Sequence, residues 1–262
     1  MNSINKTLYI PLRGKAYVSS RGILLSDPDA EAIWASEHFP LKGKSASRWL
    51  AYSMGIRAAV FDRWLRQQLE DLSDAVVLHL GCGLDSRCRR VKTHHLWFDV
   101  DFPSVIEERK GYFSESHGYH MVSSDLREDF LCHIPKGGKA IVVMEGVSMY
   151  LTAPERLALL RKLSGHFTEV RLLMDTYTCF AAKATKYKNP VNDVGVTQVH
   201  GFDDPRELEQ DTGFRFLQAH NMNPDDLIAQ LPGKDQGIYR LVYGGAMARK
   251  ICRLYAYRAP AP

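Results

Sequence analysis

The sequence predicts an α/β fold with a mostly parallel β-sheet and helices on both faces of the sheet. Five short apolar runs follow one another along the chain, and segments with helical periodicity separate them. Uninterrupted apolar strands are typical of parallel sheets, which are buried on both faces. Strand–helix alternation is the pattern of an α/β fold. In such folds ligands bind at the carboxyl ends of the strands, so we expect the functional site there.

The five apolar runs predict the parallel strands, and each precedes a glycine or an acidic residue. They are AVVLHL before Gly81, HLWF before Asp99, YHMV before Asp125, AIVVM before Glu145 and VRLLM before Asp175. Because the carboxyl ends of parallel strands meet at one edge, these acids would form a row of carboxylates. Two later runs, GFRFLQA and ICRLYAY, predict two further strands.

Two segments show helical periodicity most clearly. TAPERLALLRKLSGHF predicts a helix that begins with a capping box of Thr152 and Glu155, with Pro154 in its first turn. SASRWLAYSMGIRAAVFDRWLRQQLEDL predicts a long helix before the first strand, with Arg57 and Phe61 on its apolar face. A guanidinium on a buried face needs an anion. Spacing alone leaves open whether that anion belongs to a ligand or to an internal carboxylate.

Length and composition predict one large domain. The chain has 262 residues, of which 45% are hydrophobic, so a full core is expected. We expect a single domain over residues 1–262, with a helical cap over about residues 1–72 and a sheet core over about residues 73–262. The segment from about Phe180 to Pro205 has few periodic signals, and we expect it to run over the edge of the sheet.

Charge and cysteine content exclude several classes of function. The net charge is +4 and acidic and basic residues are mixed along the chain, which argues against a nucleic-acid partner. The first residues lack an apolar stretch that could enter a membrane. Five cysteines at irregular spacing, with no CxxC pair, predict no metal site. Free thiols indicate the cytoplasm. The oligomeric state stays open.

The stretch HLGCGLDSRCRRV indicates a ligand-binding turn. Gly81 and Gly83 end the first strand, which allows a tight turn and a close approach of a ligand to the backbone. A tight turn without a ligand is the simpler alternative. Asp101 follows at the end of the second strand, about twenty residues further on, where an acid can bind both hydroxyls of a ribose. That pattern suits a nicotinamide dinucleotide or S-adenosyl-L-methionine.

The loop after the first strand favours the second cofactor. The dinucleotide fingerprint has a third glycine beside the pyrophosphate. Ser86 takes that place here, and Asp85 stands inside the loop. A carboxylate repels a pyrophosphate but attracts the sulfonium and ammonium of S-adenosyl-L-methionine. Asp125 and Glu145 add negative charge along the same edge.

Four ordered motifs resemble those of the leucine carboxyl methyltransferase family. They are HLGCGLDSRCRRV, LWFDVDFPSVIEERK, SSDLRE and MEGVSMYL, within Val76 to Leu151. A later segment, GFDDPRELE, resembles the bacterial branch, which includes the tetracenomycin-type polyketide carboxyl O-methyltransferases. The resemblance implies a Rossmann-like class I methyltransferase fold with S-adenosyl-L-methionine as cofactor. It also implies O-methylation of a small molecule, a polyketide-like compound or another metabolite, most readily on a carboxylate.

The resemblance also implies roles for the residues of the nucleoside end of the cofactor. Gly81 would pack on the cofactor at the turn that it shares with Gly83. Asp101 would bind the ribose. Asp125 and Leu126 would frame the adenine, with Asp125 accepting a hydrogen bond from the exocyclic amine.

At the amino-acid end, Arg57 would pair with the carboxylate of the cofactor. Lys15 would be a second basic residue there, with a solvated surface lysine as the alternative. Glu145 would lie near the methionyl part and the reacting centre, and we take Glu145 and Tyr150 as the candidate catalytic residues.

A carboxylate acceptor explains why no dedicated base is evident. A carboxylate has a pKa of about 4 and is already ionised at neutral pH. A phenol or another hydroxyl, the alternative acceptor, would need a base, for which Tyr150, Tyr177 and His200 are the polar candidates. A nucleophilic role for Cys82 is disfavoured, because no histidine lies near it in the sequence.

Three further points stay open at this stage. The lysines of the excursion would either attract an acidic substrate or form a solvated face; they are Lys183, Lys186 and Lys188. A nicotinamide-dependent oxidoreductase remains compatible with a strand, a glycine turn and an acid. A protein that binds the cofactor without turnover is the third alternative.

Overall fold

The structure is a computed structural model and describes residues 5–185, 199–244 and 250–260. Within these residues, seven strands form one sheet. They are β1 (Ala75–Leu80), β2 (Trp97–Asp101), β3 (Tyr119–Ser123), β4 (Lys139–Met144), β5 (Glu169–Tyr177), β6 (Arg215–His220) and β7 (Cys252–Ala259). All seven predicted strands are therefore present.

The sheet is parallel except at one side. Its order is β3-β2-β1-β4-β5-β7-β6, and the first five of these strands are mutually parallel. β7 lies antiparallel between β5 and β6. From β1 the strand order runs outward in both directions, through β2 and β3 on one side and through β4 and β5 on the other. A ligand-binding crevice is expected where the order reverses in this way, at the carboxyl ends of the strands.

Two strands extend further than the sequence predicts. The run HLWF was expected to end before Asp99, and the run VRLLM before Asp175, but both acids lie inside their strands, β2 and β5. Both are fully buried and ion-paired, Asp99 with Arg109 and Asp175 with Arg57. A paired carboxylate can occupy a strand interior that an unpaired one could not. The predicted row of carboxylates at the edge therefore excludes Asp99.

Helices cover both faces of the sheet. They are α1 (Tyr9–Ser19), α2 (Pro28–Glu37), α3 (Arg48–Asp71), α4 (Arg87–Arg90), α5 (Pro103–Lys110), α6 (Ala153–His166), α7 (Cys179–Ala184), α8 (Asp225–Ile228) and α9 (Gly233–Tyr243). Single 3₁₀ segments occupy Asn5–Leu8, Gly43–Ala46, Phe130–His133, Ser148–Tyr150 and Pro205–Glu209. Leu78 of β1 packs in one core with Leu160 of α6, and its neighbour Val77 packs in the opposite core with Phe61 of α3. This alternation confirms helices on both faces.

The two clearest predicted helices are present with their signals intact. α6 begins at the predicted capping box, in which the backbone N–H of Thr152 donates to Glu155 over 2.7 Å. α3 begins after Ser47, whose side chain accepts from the Leu50 N–H over 3.2 Å. That start lies three residues after the first residue of the predicted run, because the side chain of Ser47 caps the helix.

The N-terminal helices pack across the carboxyl edge of the sheet. α1 crosses α3 so closely that a Cβ on Gly14 would lie 2.4 Å from the Cβ of Met54. Gly14 therefore allows this contact. Lys15 of α1 pairs with Asp85 in the turn that follows β1, and Leu8, in the 3₁₀ segment before α1, lies against Gly83 of the same turn.

The helix α9 was not predicted from the sequence. It follows β6 and precedes β7 along the chain, and the side chains of Ile238 and Leu241 are exposed by 48% and 84%. Tyr239 of this helix is buried in the core, where its ring contacts Tyr52, and its hydroxyl bonds Ser53 and Asn223. The face toward the core is formed by tyrosines, whereas the aliphatic side chains Ile238, Leu241 and Val242 are exposed.

The predicted excursion is described at both of its ends. α7 begins it, and residues 199–202 return along the end of β5, where the Phe202 N–H donates to the Tyr177 carbonyl over 3.0 Å. Lys183 lies in α7, whereas Lys186 and Lys188 fall outside the described residues.

Three further observations concern the described part of the chain. It contains no helix that is both long and apolar enough to cross a membrane. It also contains no cluster of histidine, cysteine and acidic residues arranged for a metal ion. The five cysteines are all free thiols.

Candidate functional site

A cavity of about 260 Å³ lies at the carboxyl ends of β1, β2 and β4, under the N-terminal helices. The residues predicted to bind the cofactor all line it: Lys15, Arg57, Gly81, Gly83, Asp101, Asp125, Leu126 and Glu145. Tyr150 and Tyr177 line it as well. The fold thus gathers residues from distant parts of the chain around one space, close in size to the smaller sites that bind small molecules.

The turn after β1 requires glycine, both because of its backbone conformation and because of the residues packed against it. Gly81 has a φ of +68° and Gly83 a φ of +53°, in the left-handed region that favours glycine. A Cβ on Gly81 would lie 2.3 Å from the Cγ2 of Val147, which follows β4. The turn after β1 therefore packs directly on the loop after β4, and no larger residue fits at Gly81.

Asp101 stands at the end of β2 and is fixed by two backbone donors. The Gly83 N–H donates to its Oδ2 over 2.7 Å, and the Phe102 N–H donates to its Oδ1 over 2.8 Å. Burial raises the pKa of this carboxyl, although the two donors act in the opposite direction. Each oxygen can accept one more hydrogen bond, so one rigid carboxylate can accept from two neighbouring hydroxyls.

Asp125 and Leu126 lie at the other end of the cavity. Arg127 binds the Asp125 carboxylate through Nε, at 2.9 and 3.0 Å from its two oxygens. Burial acts to raise the pKa of Asp125, but the bonds from Arg127 outweigh it and lower the pKa. Leu126 is buried beside this pair and presents an apolar wall.

Lys15 is a buried residue and not a solvated one. Its side chain is 3% exposed, and its Nζ lies 3.2 Å from Oδ2 of Asp85. Asp85 also pairs with Arg90 at 3.1 Å and with Arg87 at 3.4 Å. Burial alone would raise the pKa of Asp85, but these cations hold it well below its usual range. The negative charge of Asp85, which the sequence analysis expected to favour the cofactor, is therefore already paired with three cations of the protein.

Arg57 bridges two carboxylates at the end of the cavity. Its Nε lies 3.0 Å from Glu145, and its Nη1 lies 2.9 Å from Asp175, which also accepts the Gly146 N–H over 2.6 Å. The internal carboxylate that the sequence left open is therefore present. Arg57 nevertheless lines the cavity, so the same guanidinium is within reach of a ligand.

Arg87 contacts the site from behind its wall, and the sequence analysis gave it no role. Its side chain is completely buried, bonds Glu145 and lies 2.7 Å from Asp62. The available signal was the basic run RCRR directly after the glycine turn. Of that run, Arg87 and Arg90 turn inward, whereas Arg89 is exposed and pairs with Asp29.

These ion pairs form one continuous buried network. Its cations are Lys15, Arg57, Arg87 and Arg90, and its carboxylates are Asp27, Asp62, Asp85, Glu145 and Asp175. Among the described residues, the network therefore carries a formal charge of −1. Burial alone would raise the pKa of Glu145, but Arg87 and Arg57 outweigh it and lower the pKa.

The remaining wall of the cavity is mostly apolar, and His79 is the one histidine among its described residues. Its apolar residues include Leu8, Ile10, Leu50, Met54, Val147 and Met149. Burial raises the pKa of the Tyr150 and Tyr177 hydroxyls, which therefore stay protonated at neutral pH. His200 is not among the lining residues. Burial also raises the pKa of Cys82 well above its usual value, which argues against a thiolate nucleophile there.

Two named proteins are similar to this chain in sequence. The chain is 34% identical over 177 residues to the tetracenomycin polyketide synthesis O-methyltransferase TcmP of Streptomyces glaucescens, covering 66% of each chain. It is 30% identical over 183 residues to an S-adenosyl-L-methionine-dependent methyltransferase of Gibberella zeae, covering 63% of this chain and 61% of that one. The matched segments thus span somewhat less than two thirds of these relatives.

Solved structures share the fold. The magnesium protoporphyrin IX methyltransferase of Synechocystis, solved with bound S-adenosylhomocysteine, superposes with a TM-score of 0.53 at 13% identity, over 93% of this chain and 96% of that one. The likeness confirms the predicted class I methyltransferase fold. The profile of the leucine carboxyl methyltransferase family matches residues 16–164, which include all four motifs. By this match, the chain belongs to the leucine carboxyl methyltransferase family.

Proposed function

We propose that this chain is an S-adenosyl-L-methionine-dependent O-methyltransferase that methylates a carboxylate of a small molecule. The observation that carries the proposal is the geometry of Asp101. Its carboxylate is fixed by the Gly83 and Phe102 N–H groups at the mouth of the glycine turn. An acceptor held in this way suits the two hydroxyls of a ribose.

Charge supports this cofactor over a dinucleotide. The buried network has a formal charge of −1, and S-adenosyl-L-methionine has a formal charge of +1 at neutral pH. A pyrophosphate would add negative charge beside carboxylates that already outnumber their cations. Within the network, Lys15 and Arg57 line the cavity and suit the carboxylate of the cofactor. Asp125 and Leu126 would bind the adenine.

The carboxylate acceptor is supported by family membership and by the wall of the cavity. The S-adenosyl-L-methionine that we propose here supplies an electrophilic methyl group on a positively charged sulfur. The chain must then hold the acceptor oxygen in line with that methyl group and exclude water. The apolar wall beside Met54 and Met149 can do the second, and the protonated Tyr150 and Tyr177 hydroxyls can donate to an acceptor oxygen. Neither step requires a base.

The similarity to an O-methyltransferase of polyketide synthesis supports a small-molecule acceptor with an apolar body. The apolar residues of the wall fit such a body. A phenol acceptor would require a base. His79 is the histidine among the described lining residues, but its Nε2 lies 3.2 Å from Nη1 of Arg87 and its Nδ1 lies 3.3 Å from Oδ1 of Asp99, so both ring nitrogens face charged side chains of the protein.

Calorimetric titration with separate cofactors tests the proposal. The protein should bind S-adenosyl-L-methionine and S-adenosylhomocysteine, and should show no heat of binding with NAD⁺ or NADP⁺. Binding of a nicotinamide dinucleotide would favour the oxidoreductase. Binding of S-adenosyl-L-methionine without methyl transfer to any of a broad panel of carboxylic and phenolic acceptors would favour a protein that only binds the cofactor.

A further inference from the structure

Arg87 lies behind the cavity wall and not in it. Its side chain has no exposure to solvent, and it is absent from the residues that line the cavity. The guanidinium nevertheless joins four parts of the fold. It bonds Asp62 of α3, His79 of β1, Asp85 of the turn and Glu145 at the end of β4.

Two of the acids that line the cavity, Asp85 and Glu145, are therefore each bound from two sides. On the cavity side, Lys15 pairs with Asp85 and Arg57 pairs with Glu145. On the buried side, Arg87 pairs with both acids. One guanidinium can do this because its donors form a rigid fork, which an ammonium group lacks.

Loss of Arg87 would affect the two acids unequally. Asp85 would keep Arg90 as a partner. Glu145 would keep Arg57 alone among the described residues, and Arg57 already serves Asp175. Arg57 would then be the remaining counter-ion of two buried carboxylates. A cation in that position can engage a third carboxylate only by leaving one of the two uncompensated, which is costly in a buried site.

We propose that Arg87 is a positioning residue for the anionic end of the cofactor. By holding Asp85 and Glu145 from behind, it leaves Lys15 and Arg57 available to a ligand carboxylate. The inference rests on the proposed function, since it assumes that this carboxylate belongs to the amino-acid part of S-adenosyl-L-methionine. It predicts that Arg87 governs the affinity for the carboxylate and not the affinity for the nucleoside.

Two ligands separate these contributions. S-adenosylhomocysteine carries the carboxylate, and its decarboxylated analogue keeps the nucleoside, the sulfur and the amine. Calorimetric titration of both into wild-type protein should show tighter binding of S-adenosylhomocysteine. Arg87→Gln should lower the affinity for S-adenosylhomocysteine by about tenfold or more, while the affinity for the decarboxylated analogue changes by less than about threefold. Arg87→Lys should fall between, because it keeps the charge and loses the fork.

Arg109→Gln is the matched control. Arg109 is equally buried and ion-paired, with Asp99, and its Nη1 donates to the Gly83 carbonyl over 3.0 Å, at the nucleoside end. Its loss should weaken both ligands by similar factors. If Arg87→Gln does not fold, the same two titrations are made with Arg87→Lys, which keeps the buried charge.

The outcomes are distinct. Equal weakening of both ligands in the Arg87 variants, or no weakening of either, would overturn the positioning role while leaving the proposed function intact. If wild-type protein binds neither ligand, the proposed function fails and the inference fails with it.

Discussion

The backbone N–H of Gly83 donates to the carboxylate of Asp101 over 2.7 Å, and this bond ties the turn after β1 to the end of β2. The bond explains why the glycine turn and the acid occur together in the sequence. The backbone of Gly83 is in the left-handed region, with a φ of +53°, and the Phe102 N–H is the second donor that fixes the carboxylate.

Replacement of Asp101 by alanine should weaken cofactor binding strongly. Two hydrogen bonds from ribose hydroxyls to a charged acceptor are each worth about 1.5–3 kcal/mol, so affinity for S-adenosylhomocysteine should fall by about a hundredfold or more. Calorimetric titration measures this directly. Asp74→Ala, which removes an exposed carboxylate at the opposite end of the sheet, serves as the control and should bind normally. Unchanged affinity in Asp101→Ala would refute the ribose assignment.

Replacement of Arg57 by alanine should lower both cofactor affinity and the stability of the ligand-free protein. The change leaves Asp175 without a cation within the described residues and leaves Glu145 with Arg87 alone. Removal of one partner of a buried ion pair costs about 3–5 kcal/mol, so the free energy of unfolding should fall by that order. Denaturant titration and calorimetry check the two effects.

Arg57→Lys should restore most of the stability and only part of the affinity, because an ammonium cannot bind a carboxylate through two parallel donors. A variant Arg57→Ala that loses stability and binds the cofactor as well as wild type would show that Arg57 is structural alone.

The buried network should make the ligand-free protein sensitive to acid. The cations of the network outweigh burial and lower the pKa values of Asp62, Asp85 and Glu145. Carboxyls with depressed pKa values in the folded state stabilise it above the unfolded values of about 4. That contribution is lost as the pH falls from about 4 toward the folded pKa values. Denaturant titrations from about pH 7 to pH 3 should therefore show a steep loss of stability at the acidic end. A free energy of unfolding that stays constant over this range would contradict the ionic character of the network.

The rate of methyl transfer should be nearly independent of pH between about 6 and 8, because a carboxylate acceptor stays ionised throughout. Tyr150→Phe and Tyr177→Phe should lower the rate without changing this profile, since burial keeps both hydroxyls protonated. Initial rates across the range, at saturating cofactor, make the test. A rate that rises tenfold per pH unit would indicate a hydroxyl acceptor that must first lose its proton.

Local patterns predicted the sheet, the glycine turn and Asp101, whereas the family resemblance supplied the other predicted residues of the cavity. Apolar runs and capping boxes lie within a few residues, and the motifs place Gly81 and Asp101 at strand ends that parallel topology then brings together. The ion pairs could not be predicted in this way. Arg57 and Glu145 are 88 residues apart, and Arg87 and Asp62 are 25 apart, on elements that meet only after folding.

Because such contacts form only on folding, the sequence predicted some properties of single residues and missed others. The apolar stripe of α3 showed that Arg57 needs an anion, but no pattern could choose between a ligand and Asp175. Lys15 carried no periodic signal at all, and its burial follows from the packing of α1 on the glycine turn.

The most direct test of the central claim is the fate of a labelled methyl group. The protein is incubated with S-adenosyl-L-methionine labelled on its methyl group and a panel of aromatic carboxylic acids, phenols and matched methyl esters, and products are identified by mass spectrometry before and after mild alkali. We predict transfer to free carboxylic acids alone, with the label released as methanol by alkali, because a methyl ester is cleaved under these conditions. Transfer to phenols in an alkali-stable product, or no transfer to any acceptor by protein that binds the cofactor, would contradict the claim.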